Sequence, residues 1–449
     1  MKRAIYQNLL KWKKSQNRQV LLIMGARQTG KTWILRHFGE NEFEHVVCID
    51  FEKNTKDVQK INQVIDEEGL EPTKILEAAG LDGIEKRPEN TFFIFDEIQR
   101  NQRMFTALKY ISEERPDVYV AASGSLMGLA LHQGTHAPVG CVKTLFLFPL
   151  TFYEFLEATG EIDALTILVN QEWDKYSDFR EILDDRLKQY IITGGMPRPV
   201  SNFIQDNSFE NVRDSQYDIL SIYENDFNTH SKNEEFTEKI RYLWHVACKL
   251  TGERNEGEIF YKKISSKKAG DYYAAIQWLE DCGLISLCHR CLEAKGILGM
   301  HADVKRSNTF KVFPLDIGLR LALDHIPVEI FTNDSNSDVK GKLIEQFVFQ
   351  QLYIESRNKK IAPPMYYSWQ HHGINYEIDF MIASGLDSVP VEVKSRENFK
   401  KVSFNRFKEQ FNPEKMVQLS PKNPRWSDSL LSLPIVAAQS VYDALDKLL

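Results

Sequence analysis

"RQVLLIMGARQTGKTWILRHF", Arg18 to Phe38, decides how the first part of the chain folds. An apolar run, Val20 to Met24, leads into Gly25, four further residues, and then Gly30, Lys31 and Thr32. Trp33, Ile34, Leu35 and Phe38 follow at helical spacing. Strand, glycine-bounded loop and helix in that order form a phosphate-binding loop. The backbone N–H groups of Gly25, Ala26, Arg27, Gln28, Thr29, Gly30, Lys31 and Thr32 would face the phosphates, and the helix N-terminus adds its partial positive charge. Lys31 would reach the β- and γ-phosphates, and the Thr32 hydroxyl would ligate magnesium. ATP and Mg2+ are the expected ligands.

Moving outward, "NTFFIFDEIQR" is a buried strand, Phe92 to Phe95, that ends in Asp96 and Glu97. Downstream of a phosphate loop, Asp96 would hold the magnesium shell and Glu97 would polarise the attacking water. "HVVCIDFEK", "DVYVAASGS" and "KTLFLFPL" supply three more strands, and Ser123 and Ser125 stand where a γ-phosphate could be sensed. Strands alternating with helices predict an α/β fold with a doubly wound parallel sheet and the ligand at the carboxyl ends of its strands.

Far downstream, "NYEIDFMIASGLDSVPVEVKS", Asn375 to Ser395, reads as a hairpin with acids set among strand-forming residues. A turn at Gly385-Leu386 would place Asp379 opposite Glu392 and Glu377 opposite Lys394, with Cβ atoms about 5 Å apart. Facing carboxylates repel unless a cation lies between them. In "VKGKLIEQFVFQQLYIESRN", a helix, Glu345 lines up with Val348, Phe349 and Leu352 on an apolar face. A basic helix, "SRENFKKVSFNRFKEQF", follows the hairpin and suits phosphate backbones.

Between these ends the chain is helix-rich. Near Phe236 begins an outline of two helices and a strand pair, the pattern of a winged helix. Lys262, Lys263, Lys267 and Lys268 precede its second helix, but that helix carries Asp271, Glu280 and Asp281, and only Gln277 is suited to reading bases. Non-specific DNA contact, or a spacer role between proteins, is therefore expected over sequence readout.

"GARQTGKT", "FIFDEIQ", "ASGSLM", "FPLTFYEFL", "GGMPRP", "VFPLDIGL", "GKLIEQFV", "EIDFMI" and "VEVKS" occur in the order of a prokaryotic AAA ATPase family, which the chain resembles over nearly its whole length. Members of that family join the ATPase to a C-terminal domain of uncharacterised function whose end looks like a restriction endonuclease. The resemblance implies a P-loop AAA core over 1–150, a helical lid over 151–232, a winged-helix module over 233–325 and a PD-(D/E)XK nuclease-like domain over 326–449. In that scheme Asp379 and Glu392 hold magnesium, Lys394 assists the attacking water and Glu345 completes the acidic set. The family usually has Gly-Arg before the fifth strand, whereas this chain has Gly140-Cys141. Arg100, Arg103 and Arg198 are the candidate replacements for a charge-stabilising arginine.

With 449 residues, two to four domains are expected. A net charge of −7 excludes a uniformly basic nucleic-acid binder but leaves room for local basic surfaces. Six cysteines in so long a chain suggest a reducing compartment, and no apolar window approaches membrane-spanning length, so a cytoplasmic location is expected. The expected function is an ATPase coupled to a nucleic-acid-directed nuclease-like domain. The alternative is a nucleotide-gated switch whose nuclease-like domain binds without cutting. DNA and further copies of the chain are candidate partners.

Overall fold

The computed structural model describes the chain apart from residues 54, 81–89, 126–139, 231–232, 251–269, 303–309, 332–336, 397–401, 428 and 448–449. The chain divides into two compact units, Met1–Phe148 with Asp281–Gly283, and Pro149–Glu280 with Leu284–Leu449.

In the first unit, β1 (Val20–Gly25), β2 (His45–Asp50), β3 (Thr91–Asp96), β4 (Tyr119–Ser125) and β5 (Val142–Phe146) form a parallel sheet in the order β2-β3-β4-β1-β5. Its central strands are continuous apolar runs because both faces are covered. On one face Leu21, Ile23, Phe92, Ile94 and Ala121 pack with α1 (Ile5–Lys13) and α2 (Lys31–Glu42). On the other, Val20, Leu22, Phe93, Phe95, Val120 and Ala122 pack with α3 (Lys56–Glu68), α4 (Pro72–Ala78) and α5 (Gln102–Glu114). Neighbouring residues of one strand thus serve opposite layers, as the two-residue repeat of a strand requires. β4 separates β1 from β3, so the phosphate loop and the Asp96 strand end are not on adjacent strands.

The second unit begins with α6 (Phe152–Ala158), started by a capping box in which Thr151 and Glu154 satisfy each other's backbone N–H groups. Then come α7 (Ile162–Asn170), α8 (Tyr176–Thr193), α9 (Pro197–Asp206), α10 (Phe209–His230), α11 (Glu234–Leu250) and α12 (Gly270–Asp281). An antiparallel pair, β6 (Ile285–His289) and β7 (Phe310–Pro314), leads to α13 (Ile317–Leu323) and the long α14 (Ser337–Lys359). Lys262, Lys263, Lys267 and Lys268 lie outside the described residues.

A mixed six-stranded sheet follows, in the order β12-β13-β11-β10-β9-β8. It is built from β8 (Met365–His371), β9 (Ile374–Ser384), β10 (Asp387–Val393), β11 (Met416–Ser420), β12 (Arg425–Ser427) and β13 (Leu430–Pro434). Helices α15 (Val402–Phe411) and α16 (Val441–Asp446) complete the unit. One buried cluster runs from Leu150 and Phe155 through Tyr190, Phe313 and Phe347 to Phe380 and Val436. Met365, Trp369, Ile378, Phe404 and Phe407 form a buried cluster of their own between β8, β9 and α15.

A knot at the centre of this unit explains two of the quoted motifs. Asp316 caps α13 and accepts from the N–H of Leu319 (3.0 Å) and of Gly195 (2.6 Å). A Cβ on Gly194 would lie 2.1 Å from the Asp316 carboxylate, and one on Gly318 would lie 2.5 Å from the Gly194 nitrogen. "GGMPRP" and "PLDIGL" are thus two halves of one contact.

Candidate functional site

The carboxyl ends of β1, β3 and β4 gather the residues expected to handle a nucleotide. Gly25 ends β1 so close to the chain leaving β5 that a Cβ there would lie 2.3 Å from the Leu147 carbonyl oxygen. Gly30 turns into α2 with φ +92, a left-handed conformation that favours glycine, and Gln28 adopts φ +65. Inside the loop the Thr29 hydroxyl donates to the Ala26 carbonyl at 2.9 Å. Lys31 is buried, and its ammonium donates to the carbonyls of Ala26 (2.9 Å) and Gly25 (3.2 Å). Burial pulls its pKa down to about 8, although Glu97 and Asp96 favour the charged form.

Asp96 is buried at the end of β3 and accepts from the Ser123 hydroxyl of β4. Ser125 pairs in register with Gly25, which puts it beside the loop. Glu97 adopts φ +51, and its carboxylate accepts from the Gln99 amide at 2.5 Å. The lysine, both serines and both acids therefore lie at one end of the sheet, on three neighbouring strands and the turns that follow them.

Sequence reasoning missed Arg3. Its buried guanidinium donates to the Thr29 carbonyl (3.1 Å) and the Phe148 carbonyl (2.6 Å), tying the loop to the strand outlet. Nothing local in "MKRAIYQ" signals partners 26 and 145 residues away. The arginines considered as charge-stabilising groups are held in ion pairs: Arg100 with Glu52 (3.1 Å), Arg103 with Asp66 and Arg198 with Asp218 (2.8 Å).

In the second unit, the β9–β10 hairpin turns at Gly385-Leu386 and pairs Asp387 with Ser384. Its last ladder pair, Val391 with Phe380, puts Asp379 and Glu392 at the next step, as the turn-based register requires. There the Asp379 carboxylate replaces a ladder bond and accepts from the Val393 N–H at 2.7 Å. Lys394, just past the end of β10, lies 2.6 Å from Glu392. Glu377 lies 3.1 Å from Lys311 of β7, which also holds Glu345 of α14 at 2.7 Å.

Lys311 was not foreseen. A lone lysine inside the apolar run Phe310–Pro314 was the available signal, because a charge in a buried strand requires a partner. Burial by itself would lower its pKa, but the carboxylates of Glu345, Glu377 and Asp379 outweigh that and hold it well above the usual ammonium value. Burial raises Asp379 and Glu345 and, with the charge of Asp379, pushes Glu392 up to about 8. One oxygen of Glu392, Oε2, is buried without a hydrogen-bond partner. Among the described residues no group of three or more His, Cys, Asp or Glu is arranged to hold an ion, and the cluster's charges already face two ammonium groups.

Residues 17–156 match the family "AAA domain". Residues 184–329 and 340–436 match two families described as domains of unknown function, DUF8612 and DUF4143. The first match falls on the sheet and loop of the N-terminal unit, which has the fold of a P-loop ATPase domain. No curated protein matches the chain. Among solved structures it is similar to a Walker-type ATPase of Pyrococcus abyssi, at 14% identity over 71% of this chain and 94% of that one, with a TM-score of 0.44. It is also similar to the ORC1 protein of Aeropyrum pernix in complex with DNA, at 12% identity over 73% of this chain and 92% of that one, with a TM-score of 0.26. Among the described residues no helix is long and apolar enough to cross a membrane.

Proposed function

We propose that the first unit binds and hydrolyses ATP with magnesium, and that the second is a nucleic-acid-directed platform of nuclease-like type that responds to the nucleotide. The observation that carries this is the convergence of the phosphate loop, the Ser123–Asp96 pair and Glu97 at one sheet end. Thr32 and Asp96 offer the hard oxygen donors that magnesium takes, and the ion's chemistry is to neutralise charge on the β- and γ-oxygens. Lys31 exchanges the loop carbonyls for phosphate oxygens. Glu97, steadied by Gln99, orients and polarises the attacking water. Ser123 fixes the Asp96 carboxylate, and Ser125 reports on the γ-phosphate. Glu97→Gln should retain ATP while lowering turnover by about 10²–10⁴-fold, the usual worth of a positioned base. Normal hydrolysis by that variant would remove Glu97 from the role.

For the second unit the module types are a helical lid, a winged helix and a PD-(D/E)XK-like sheet, and DNA is the partner we assign to them. The engagement of Lys311 with Glu345 and Glu377 favours a platform that does not cut. One observation favours a second reading, phosphodiester cleavage by Asp379, Glu392, Lys394 and Glu345: the unpartnered Oε2 of Glu392. Plasmid and single-stranded DNA incubated with Mg2+ or Mn2+, with and without ATP, separate the two. Cleavage abolished by Asp379→Ala and by Lys394→Ala would establish the second reading and end the first.

A further inference from the structure

The acidic cluster of the second unit contains a cation supplied by the chain itself. Lys311 comes from β7, outside the helix and hairpin that supply the acids, and its side chain is 1% exposed. Its ammonium contacts Glu345 of α14 and Glu377 of β9, and lies 5.5 Å from the ring centre of Tyr366 and 5.8 Å from that of Phe380. Aromatic faces attract a cation and exclude water, so the ammonium lies among two carboxylates and two rings. An ammonium so enclosed has exchanged its hydration for fixed partners, which is favourable only while they stay in place.

We propose that Lys311 is the resident cation of this cluster, standing in for a divalent ion and locking β7 to α14 and β9. The proposal rests on the reading of the second unit as a non-cutting platform and deepens it by naming the residue responsible. On this account the acids hold a strand pair against a sheet, and the cluster becomes a metal site only when the lysine is removed.

The test is thermal melting of the full, nucleotide-free chain, with and without millimolar Mn2+ or Mg2+. The wild-type transition should not move with metal. Lys311→Met should melt several degrees lower and recover part of that loss in Mn2+, a recovery that adding Asp379→Asn should abolish. If Lys311→Met does not fold, Lys311→Met with Glu377→Gln should, because one uncompensated charge has gone; a double variant no better than the single overturns the lock. A wild-type rise in Mn2+ that Asp379→Asn abolishes overturns the proposal, and so does a Lys311→Met chain that melts like wild type or stays blind to metal. The cleavage assay fails separately. A chain that binds Mn2+ without cutting overturns only the lysine's role, whereas DNA cleavage overturns the platform itself.

Discussion

At the residue scale, among the described residues one lysine in each unit is buried, and the two sit in different electrostatic settings. Lys311 faces carboxylates and stays charged, whereas Lys31 faces loop carbonyls and burial pulls it down to about 8. A triphosphate beside Lys31 favours the ammonium, so its pKa rises on binding. The sign follows by linkage. Below pH 8 the free protein already carries the proton and affinity is at its full value; above it, binding must take a proton up. ATP affinity should therefore fall with rising pH, by at most about tenfold per unit, from near 8 until the bound-state pKa is reached. Titrations at pH 7 and pH 9 check this, and equal affinities would show that Lys31 does not meet the phosphates.

At the element scale, the phosphate loop, the apolar strands and the hairpin register were legible because each depends on residues close in sequence. A glycine-bounded loop after an apolar run specifies its own geometry, and the turn at Gly385-Leu386 fixes the pairing up to Asp379 and Glu392. What stayed hidden depends on elements brought together from afar: Arg3 on the loop, Lys311 on the acids, and the shared core of helices and sheet after residue 150. The Gly194–Asp316–Gly318 knot belongs to this class, and its energetics are a contest. Alanine in place of Gly318 gains up to about 1 kcal/mol from helix propensity. Its Cβ would meet backbone atoms of Gly194 and Thr193 at 2.5 Å, and backbone cannot swing aside as a flexible side chain does. Overpacking of this kind costs about 1–3 kcal/mol. Gly318→Ala should accordingly lower stability by a net of roughly 1 kcal/mol, read as a reduced denaturant midpoint at unchanged slope. A stabilised variant would mean that the two segments separate easily.

At the scale of the whole molecule, the chain joins a sheet that carries a phosphate loop to a unit whose acidic cluster is already neutralised in part by its own lysines. The junction follows Phe148, whose carbonyl shares Arg3 with the phosphate loop, so loop rearrangement has a direct contact to the end of the first unit. Arg3→Ala should therefore weaken ATP binding, and Arg3→Lys should restore it in part, as titration of both variants would show; affinity unchanged in Arg3→Ala would break that link. All of this depends on a triphosphate seated on residues 25 to 32. Calorimetry of the full chain with ATP and Mg2+ tests that most directly. The account predicts saturable heat for wild type and its loss in Lys31→Ala. No heat with wild type, or the same heat with Lys31→Ala, would contradict it.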